Sequence, residues 1–478
     1  MCGIAGLVYD SSQGADFPWD NFDAELKDVL SYEPEKIAGN QLADKLESLF
    51  SKAQRLKEFS SIQQISTSAE ALQRVQSWAR ELTGWEARVS DYLDHTATLD
   101  SSQQEQLNGV LVICRDLLWA IREDVLAFLP RLGKLLLERE RTAPRLFHAW
   151  KLVVALENIC RMEVRGRDSC GICTRITLTD AQYKEFLNSL DSEQQKIWER
   201  RQEPQDFVNL AVRVFPVADR VETVFSYKVA QEVGALGDNV RALYEDIAND
   251  SLFWDLVDFE QSASIVYSHS RWASNGIISE PNCHPVDEVT VTEEGVTSNL
   301  SGHITTACVN GDVDNYQALK ARLYGEKKHA ISHNIGTDAK IVPVLFDAML
   351  AEEKDPEKAF CRMVGECEGS FAIVLETTAD PDRLYLALKG SGQSLFVGLM
   401  ENGYVFASEL YGVVEQTPRF IRMDGTAEHV PGRPETAGQI LILSREGRGQ
   451  WDAIKALSVT GEPIKLAEKD CKRPARRG

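Results

Sequence analysis

The chain does not open on a basic stretch followed by a long apolar segment, so its first residues carry no secretory signal. No apolar run reaches the ~18–20 residues that span a bilayer. Positive charge is scarce: 52 Lys and Arg face 73 Asp and Glu, for a net charge of −21. That balance excludes nucleic acid and anionic membrane as bulk electrostatic partners and leaves small molecules or proteins. Internal repeats and low-complexity stretches are absent. The ten cysteines are scattered along the chain. Without a signal for export they read as reduced thiols in a cytoplasmic protein.

What is there begins with a short apolar strand, 3–9. From about Phe22 to Met162 strand signals vanish and apolar residues recur at helical spacing, as in Leu42, Leu46, Leu49 and Phe50, and in Leu111, Leu117, Leu118, Ile121, Val125 and Phe128. Asp100-Ser101-Ser102 reads as a helix start and Pro144 as a first-turn proline. The expectation is an inserted bundle of four or five helices over 11–149, with Trp78, Trp85, Trp119 and Trp150 in its core. Residues 180–262 read as a second, largely helical insertion, with helices near 180–200 and 226–249. From Ser264 onward strand patterns dominate, at 264–267, 304–309, 370–375, 383–388, 394–399, 404–407 and 439–443. Helices fit 314–323, 338–351 and 356–364 between them. The fold class expected is α+β with a mostly antiparallel core, built from 2–10, 150–178 and 263–445. Residues 446–478 read as a C-terminal tail, basic and disordered after Lys469.

Cys2 stands directly behind Met1. Removal of Met1 would place a thiol and a free α-amino group on one residue. A thiol of pKa ~8.5 needs a base, and an α-amine near ~7.7–8.0 can serve as one at neutral pH. A nucleophile that carries its own base is the arrangement of N-terminal-nucleophile hydrolases.

Four further segments share the strand-rich part with Met1-Cys2-Gly3-Ile4. They are Arg165-Gly166-Arg167-Asp168-Ser169, His269-Ser270-Arg271-Trp272-Ala273-Ser274-Asn275-Gly276, Val309-Asn310-Gly311-Asp312 and Gly336-Thr337-Asp338. In this order the five motifs resemble the class II glutamine amidotransferases, and among them the glutaminase domain of glutamine–fructose-6-phosphate aminotransferase. The resemblance implies a four-layer αββα N-terminal-nucleophile sandwich interrupted by the two helical insertions. It implies L-glutamine as substrate, no cofactor and no metal. It also implies that ammonia passes to an acceptor domain or subunit. The sugar-isomerase half of such a synthase has no counterpart among the 35 or so residues after the last expected strand. Neither an asparagine-synthetase nor a phosphoribosyl signature is present. The insertions are candidates for docking or oligomerisation.

Glutamine is a zwitterion with a reactive side-chain amide. Its hydrolysis needs a cation, an anion, a nucleophile and an oxyanion hole. Arg271 offers a planar fork for the α-carboxylate. By resemblance it has that role beside Trp272 and Ser274, Asp338 pairs with the α-ammonium, and Asn310 and Gly311 form the oxyanion hole. Arg165, Gly166 and Asn275 support the site, the first two around the N-terminal amine. Taken alone, Gly336-Thr337-Asp338 also reads as a helix cap, which is compatible with the other role, and an Asn-Gly pair such as Asn310-Gly311 is more often just a turn. Asn275 and Val309 stand where the family has His, Arg167 where it has Tyr, and Ala339-Lys340 where it has Thr-Glu. These departures motivate an alternative, a weakened glutaminase-fold scaffold whose insertions bind a partner. Cys170-Gly171-Ile172-Cys173 has redox or zinc spacing but no second pair, and Cys283-His284-Pro285 falls in a structural loop; both read as structural.

Overall fold

A computed structural model describes residues 2–10, 16–37, 40–96, 98–203, 206–230, 235–259, 263–273, 275–428, 432–433, 436–466 and 471–472. The chain divides into two compact units: Met1–Ser12 with Lys151–Gly478, and Gln13–Trp150.

The second unit is helical. Its helices are Trp19–Leu30, Gln41–Ala53, Phe59–Thr67, Ala69–His95, Ser101–Ile121, Leu129–Leu136 and the opening of Ala143–Met162. The described residues of this unit therefore hold seven helices, not four or five. Ser68 takes the cap position of the fourth helix, where its side chain accepts from Ala71 N, so one apolar stretch becomes two helices. Asp100 and Gln103 form a capping box at the fifth. Trp78, Trp85 and Trp150 are buried, and each indole N–H is satisfied, by Asp23 Oδ1 (2.6 Å), Tyr32 O (3.0 Å) and Lys57 O (3.1 Å). Trp119 is a correction: it is 62% exposed. Leu107, Leu111, Cys114, Leu118 and Ile121 form the buried stripe of that helix, and Trp119 falls on the opposite side.

The first unit is built on two antiparallel sheets. The larger has nine strands, in the order Cys471–Lys472, Phe420–Arg422, Phe396–Leu399, Gly403–Ala407, Gly3–Asp10, Ala263–Arg271, Ser169–Thr179, Arg220–Val229 and Val212–Val217. The seven-stranded sheet runs Pro463–Ile464, Lys455–Ser458, Gln439–Ser444, Arg383–Lys389, Gly369–Thr377, Thr305–Val313 and Val286–Asp287. Ile4, Val8, Ile265 and Tyr267 of the first meet Cys308, Val374, Leu386 and Leu441 of the second in one buried core, so the sheets stack face to face. On the outer face of the seven-stranded sheet, Val309, Ile373 and Tyr385 pack against the helices Ile341–Glu353 and Pro356–Glu366. Behind the nine-stranded sheet, Ser268 Oγ donates to Ala155 O of the long helix at 3.3 Å. The helix Asp238–Asn249 packs on Ser169–Thr179 and Arg220–Val229.

Two further expectations change here. Residues 180–262 are not all helical: Val212–Val217 and Arg220–Val229 complete the nine-stranded sheet. Alternate side chains of Arg220–Val229 that look solvent-facing, Glu222, Ser226 and Lys228, are buried. Thr177 Oγ1 donates to Glu222 at 2.8 Å, and Arg175 faces Glu222 and Glu376. Nor is 446–478 only a tail. Lys455–Ser458 pairs with Gln439–Ile442, and Cys471–Lys472 pairs with Phe420–Ile421. Residues 473–478 lie outside the described residues.

Candidate active site

The central position of the first strand sets the site. Gly3–Asp10 pairs on one side with Gly403–Ala407 and on the other with Ala263–Arg271, with Gly3 opposite Ser270. Cys2 therefore emerges beside the end of the strand that delivers Arg271 and Trp272. The Trp272 N–H donates to Cys2 Sγ at 3.3 Å. Burial raises the thiol pKa; the Trp272 contact, the amino terminus and Arg271 pull against it.

Asn310 comes from the other sheet. Its side chain lies on the same strand face as Cys308, whose thiol sits in the core between the sheets. Cys2 N donates to Asn310 Oδ1 at 3.2 Å. Asn310 is 1% exposed, and its Nδ2 has no hydrogen-bond partner among the described residues. Gly311 follows with φ +105°, and a Cβ there would stand 2.1 Å from Ser370 O, so only glycine fits. Val309 turns its side chain to the helical layer, away from Cys2. The exchange of His for Val at this position thus falls on the far face of the strand.

Arg271 is 3% exposed and makes no ion pair among the described residues. Its Nη1 donates to Ile277 O at 3.3 Å and its Nη2 to Asn275 O. Burial lowers its pKa. Trp272 is 55% exposed. Ser274 lies outside the described residues. Asn275 Nδ2 donates to Asp312 Oδ1 at 3.4 Å, tying the loop after Arg271 to the strand of Asn310.

Asp338 opens the turn Asp338–Lys340 and is 4% exposed. Its Oδ2 accepts from Val313 N at 2.8 Å. Burial raises its carboxyl pKa, and Asp312 adds to the rise. Gly276 brings the two loops together: a Cβ on it would lie 3.0 Å from Thr337 N. Asn282 Oδ1 accepts from Gly336 N (2.8 Å) and Thr337 N (3.0 Å).

Gly166 lies against the same turn, where a Cβ would be 2.7 Å from Trp272 N. Arg165 instead forms an ion pair with Glu409. A residue to which the motif reading gave no role, Asp168, pins the turn: its N–H donates to Arg271 O (3.0 Å), and its Oδ2 accepts from Ala273 N (2.7 Å). Its place one residue before Ser169 was visible in the motif, but its partners were not.

Among the described residues no group of His, Cys, Asp or Glu is placed to hold a metal ion, and no helix is long and apolar enough to cross a membrane. What the arrangement offers is a partly exposed thiol, an unpaired buried amide donor, a buried guanidinium and a buried carboxylate, all at one end of the two sheets.

Residues 293–415 match the family model of a glutamine amidotransferase domain. The chain is 25% identical over 191 residues to glutamine–fructose-6-phosphate aminotransferase (isomerizing) of Bacillus anthracis, covering 40% of this chain and 29% of that protein. The protein of that name from Methanothermobacter thermautotrophicus is 29% identical over 170 residues, covering 36% of this chain and 26% of the relative. That from Pyrococcus horikoshii is 29% identical over 175 residues, covering 37% and 26%. The matched stretches thus span under a third of these relatives. The chain contains a glutamine amidotransferase domain and is homologous, over about 40% of its length, to the glutaminase part of glutamine–fructose-6-phosphate aminotransferase.

Proposed function

We propose that the chain hydrolyses L-glutamine to glutamate and ammonia through a γ-glutamyl thioester on Cys2. In this reading Met1 is removed and the first unit is an N-terminal-nucleophile sandwich. The freed α-amine takes the thiol proton, and Sγ attacks the side-chain amide carbon. Negative charge collects on the amide oxygen, and Asn310 Nδ2–H and Gly311 N–H stabilise it. The C–N bond breaks, and ammonia leaves with the proton returned by the α-ammonium. Water then hydrolyses the thioester, releasing glutamate and restoring the thiol. Arg271 holds the α-carboxylate, with Trp272 and Ser274 beside it, and Asp338 holds the α-ammonium.

The observation that carries the reading is the division of labour in Asn310: Oδ1 accepts from Cys2 N while the buried Nδ2 is left without a partner. A buried amide N–H left unpaired costs about 1–3 kcal/mol, which a developing oxyanion would recover. The ammonia acceptor in this reading is a domain or subunit of the fructose-6-phosphate aminotransferase kind. The helical unit is an insertion that serves docking or oligomerisation. The test is glutamine hydrolysis by the wild-type chain and by Cys2→Ala, followed as glutamate and ammonia. Turnover by the wild type and none by Cys2→Ala supports the reading; equal turnover contradicts it.

A further inference from the structure

Two buried imidazoles take the place of a missing strand beside Val309. The edge strand Val286–Asp287 pairs with Ala307 and Thr306, and the same register carried two residues further would set His284 opposite Val309. The ladder stops short of that point. Instead the His284 side chain turns in, and its Nδ1 accepts from Val309 N at 3.3 Å. From the opposite sheet, His269 Nε2–H donates to Val309 O at 2.9 Å. The two rings lie 4.1 Å apart between centroids, at 30° to one another. Both residues are buried, at 0% and 3% exposed. Gly171 makes room for the arrangement: a Cβ there would stand 2.0 Å from His284 O.

We infer that His269 and His284 are positioning residues for the oxyanion step: by clamping both polar groups of Val309, they hold the next residue, Asn310, against Cys2. This rests on the role proposed for Asn310. The partners dictate the tautomers. A carbonyl can only accept, so His269 carries its proton on Nε2. An N–H can only donate, so His284 is bare on Nδ1 and protonated on Nε2. Burial holds the His269 pKa down at about 3 and that of His284 well below the usual range, so both rings are neutral at physiological pH. Neither imidazole is assigned a contact with substrate.

The test uses paired variants. His284→Asn keeps an acceptor near the Nδ1 position, and His269→Gln keeps a donor near the Nε2 position. His284→Leu and His269→Leu keep bulk alone. The expected result is a fall in kcat of about tenfold or more in each Leu variant with little change in KM, since small displacements of a catalytic group cost that much or more. The Asn and Gln variants should recover most of the loss. Wild-type kcat in the Leu variants, or Asn and Gln variants as slow as Leu, would overturn the inference. Two measurements need no turnover and so separate failure of the clamp from failure of the glutaminase reading. Nitrogen-15 NMR of the wild type should show both rings as Nε2–H tautomers, and the Val309 amide should exchange slowly. An Nδ1–H tautomer at His284, or fast exchange at Val309, would overturn the clamp itself.

Discussion

Cys2 and Asn310 stand 308 residues apart in the chain, yet Cys2 N donates to Asn310 Oδ1 at 3.2 Å. Each comes from a different sheet, so the contact depends on how the two sheets stack. The hydrogen bond also orients Asn310. With its oxygen occupied by the main chain of Cys2, the amide has only its buried, unpartnered NH2 left to donate.

Replacing Asn310 by Ala removes that donor and leaves Arg271 and Asp338 in place. The expected outcome is a fall in kcat of roughly 10²–10³ with a much smaller change in KM. Steady-state glutaminase kinetics check it, and an effect confined to KM would deny Asn310 the oxyanion role.

Arg271→Ala and Asp338→Ala should act in the opposite sense. Each leaves one end of the glutamine zwitterion unpaired, a loss of ~2–5 kcal/mol when one partner of a buried charge pair is truncated. KM should rise steeply for both, with kcat less affected. The same kinetic measurements check this.

The pH profile follows from the raised thiol pKa of Cys2, which burial causes. At neutral pH the thiol is protonated and depends on a base. If the base is the freed α-amine, kcat/KM rises as pH increases through ~7.7–8.0, where that amine loses its proton. A variant in which Met1 is retained lacks this base, so its activity limb should move to higher pH. Identical profiles for the two forms would count against the α-amine.

Much of the site was legible because its residues sit in short runs. Arg271 with Trp272, Asn310 with Gly311, and Asp338 behind Gly336-Thr337 each carry the residue types of their proposed roles within a few positions. Their company with Cys2 was not written locally. It follows from the place of Gly3–Asp10 in the middle of a sheet and from the stacking of that sheet on Thr305–Val313. The strand Arg220–Val229 was missed because its polar alternation suggests a wet face, whereas Glu222 and Lys228 lie inside the protein. Lys455–Ser458 was missed because it is short and lies near the far edge of the second sheet, between Gln439–Ser444 and Pro463–Ile464. The roles of Asp168 and the two histidines depend on backbone partners, which no motif encodes. Trp119 shows the limit of composition: a tryptophan on a helix joins the core only on the buried stripe.

The helical unit Gln13–Trp150 has its own buried core, including Phe22, Leu46, Trp78 and Leu118. Replacing residues 14–145 by a short Gly/Ser linker should therefore leave a soluble protein that still hydrolyses glutamine. Size-exclusion chromatography and the glutaminase assay check it; insoluble protein would mean that this unit belongs to the core of the catalytic domain.

The most direct measurement is mass spectrometry of the purified chain before and after treatment with 6-diazo-5-oxo-L-norleucine, a glutamine-like electrophile. The account predicts a chain that begins at Cys2 and a single adduct on Cys2 among the ten cysteines, blocked by excess glutamine. A chain that keeps Met1, or label on other thiols with Cys2 unmodified, would contradict it.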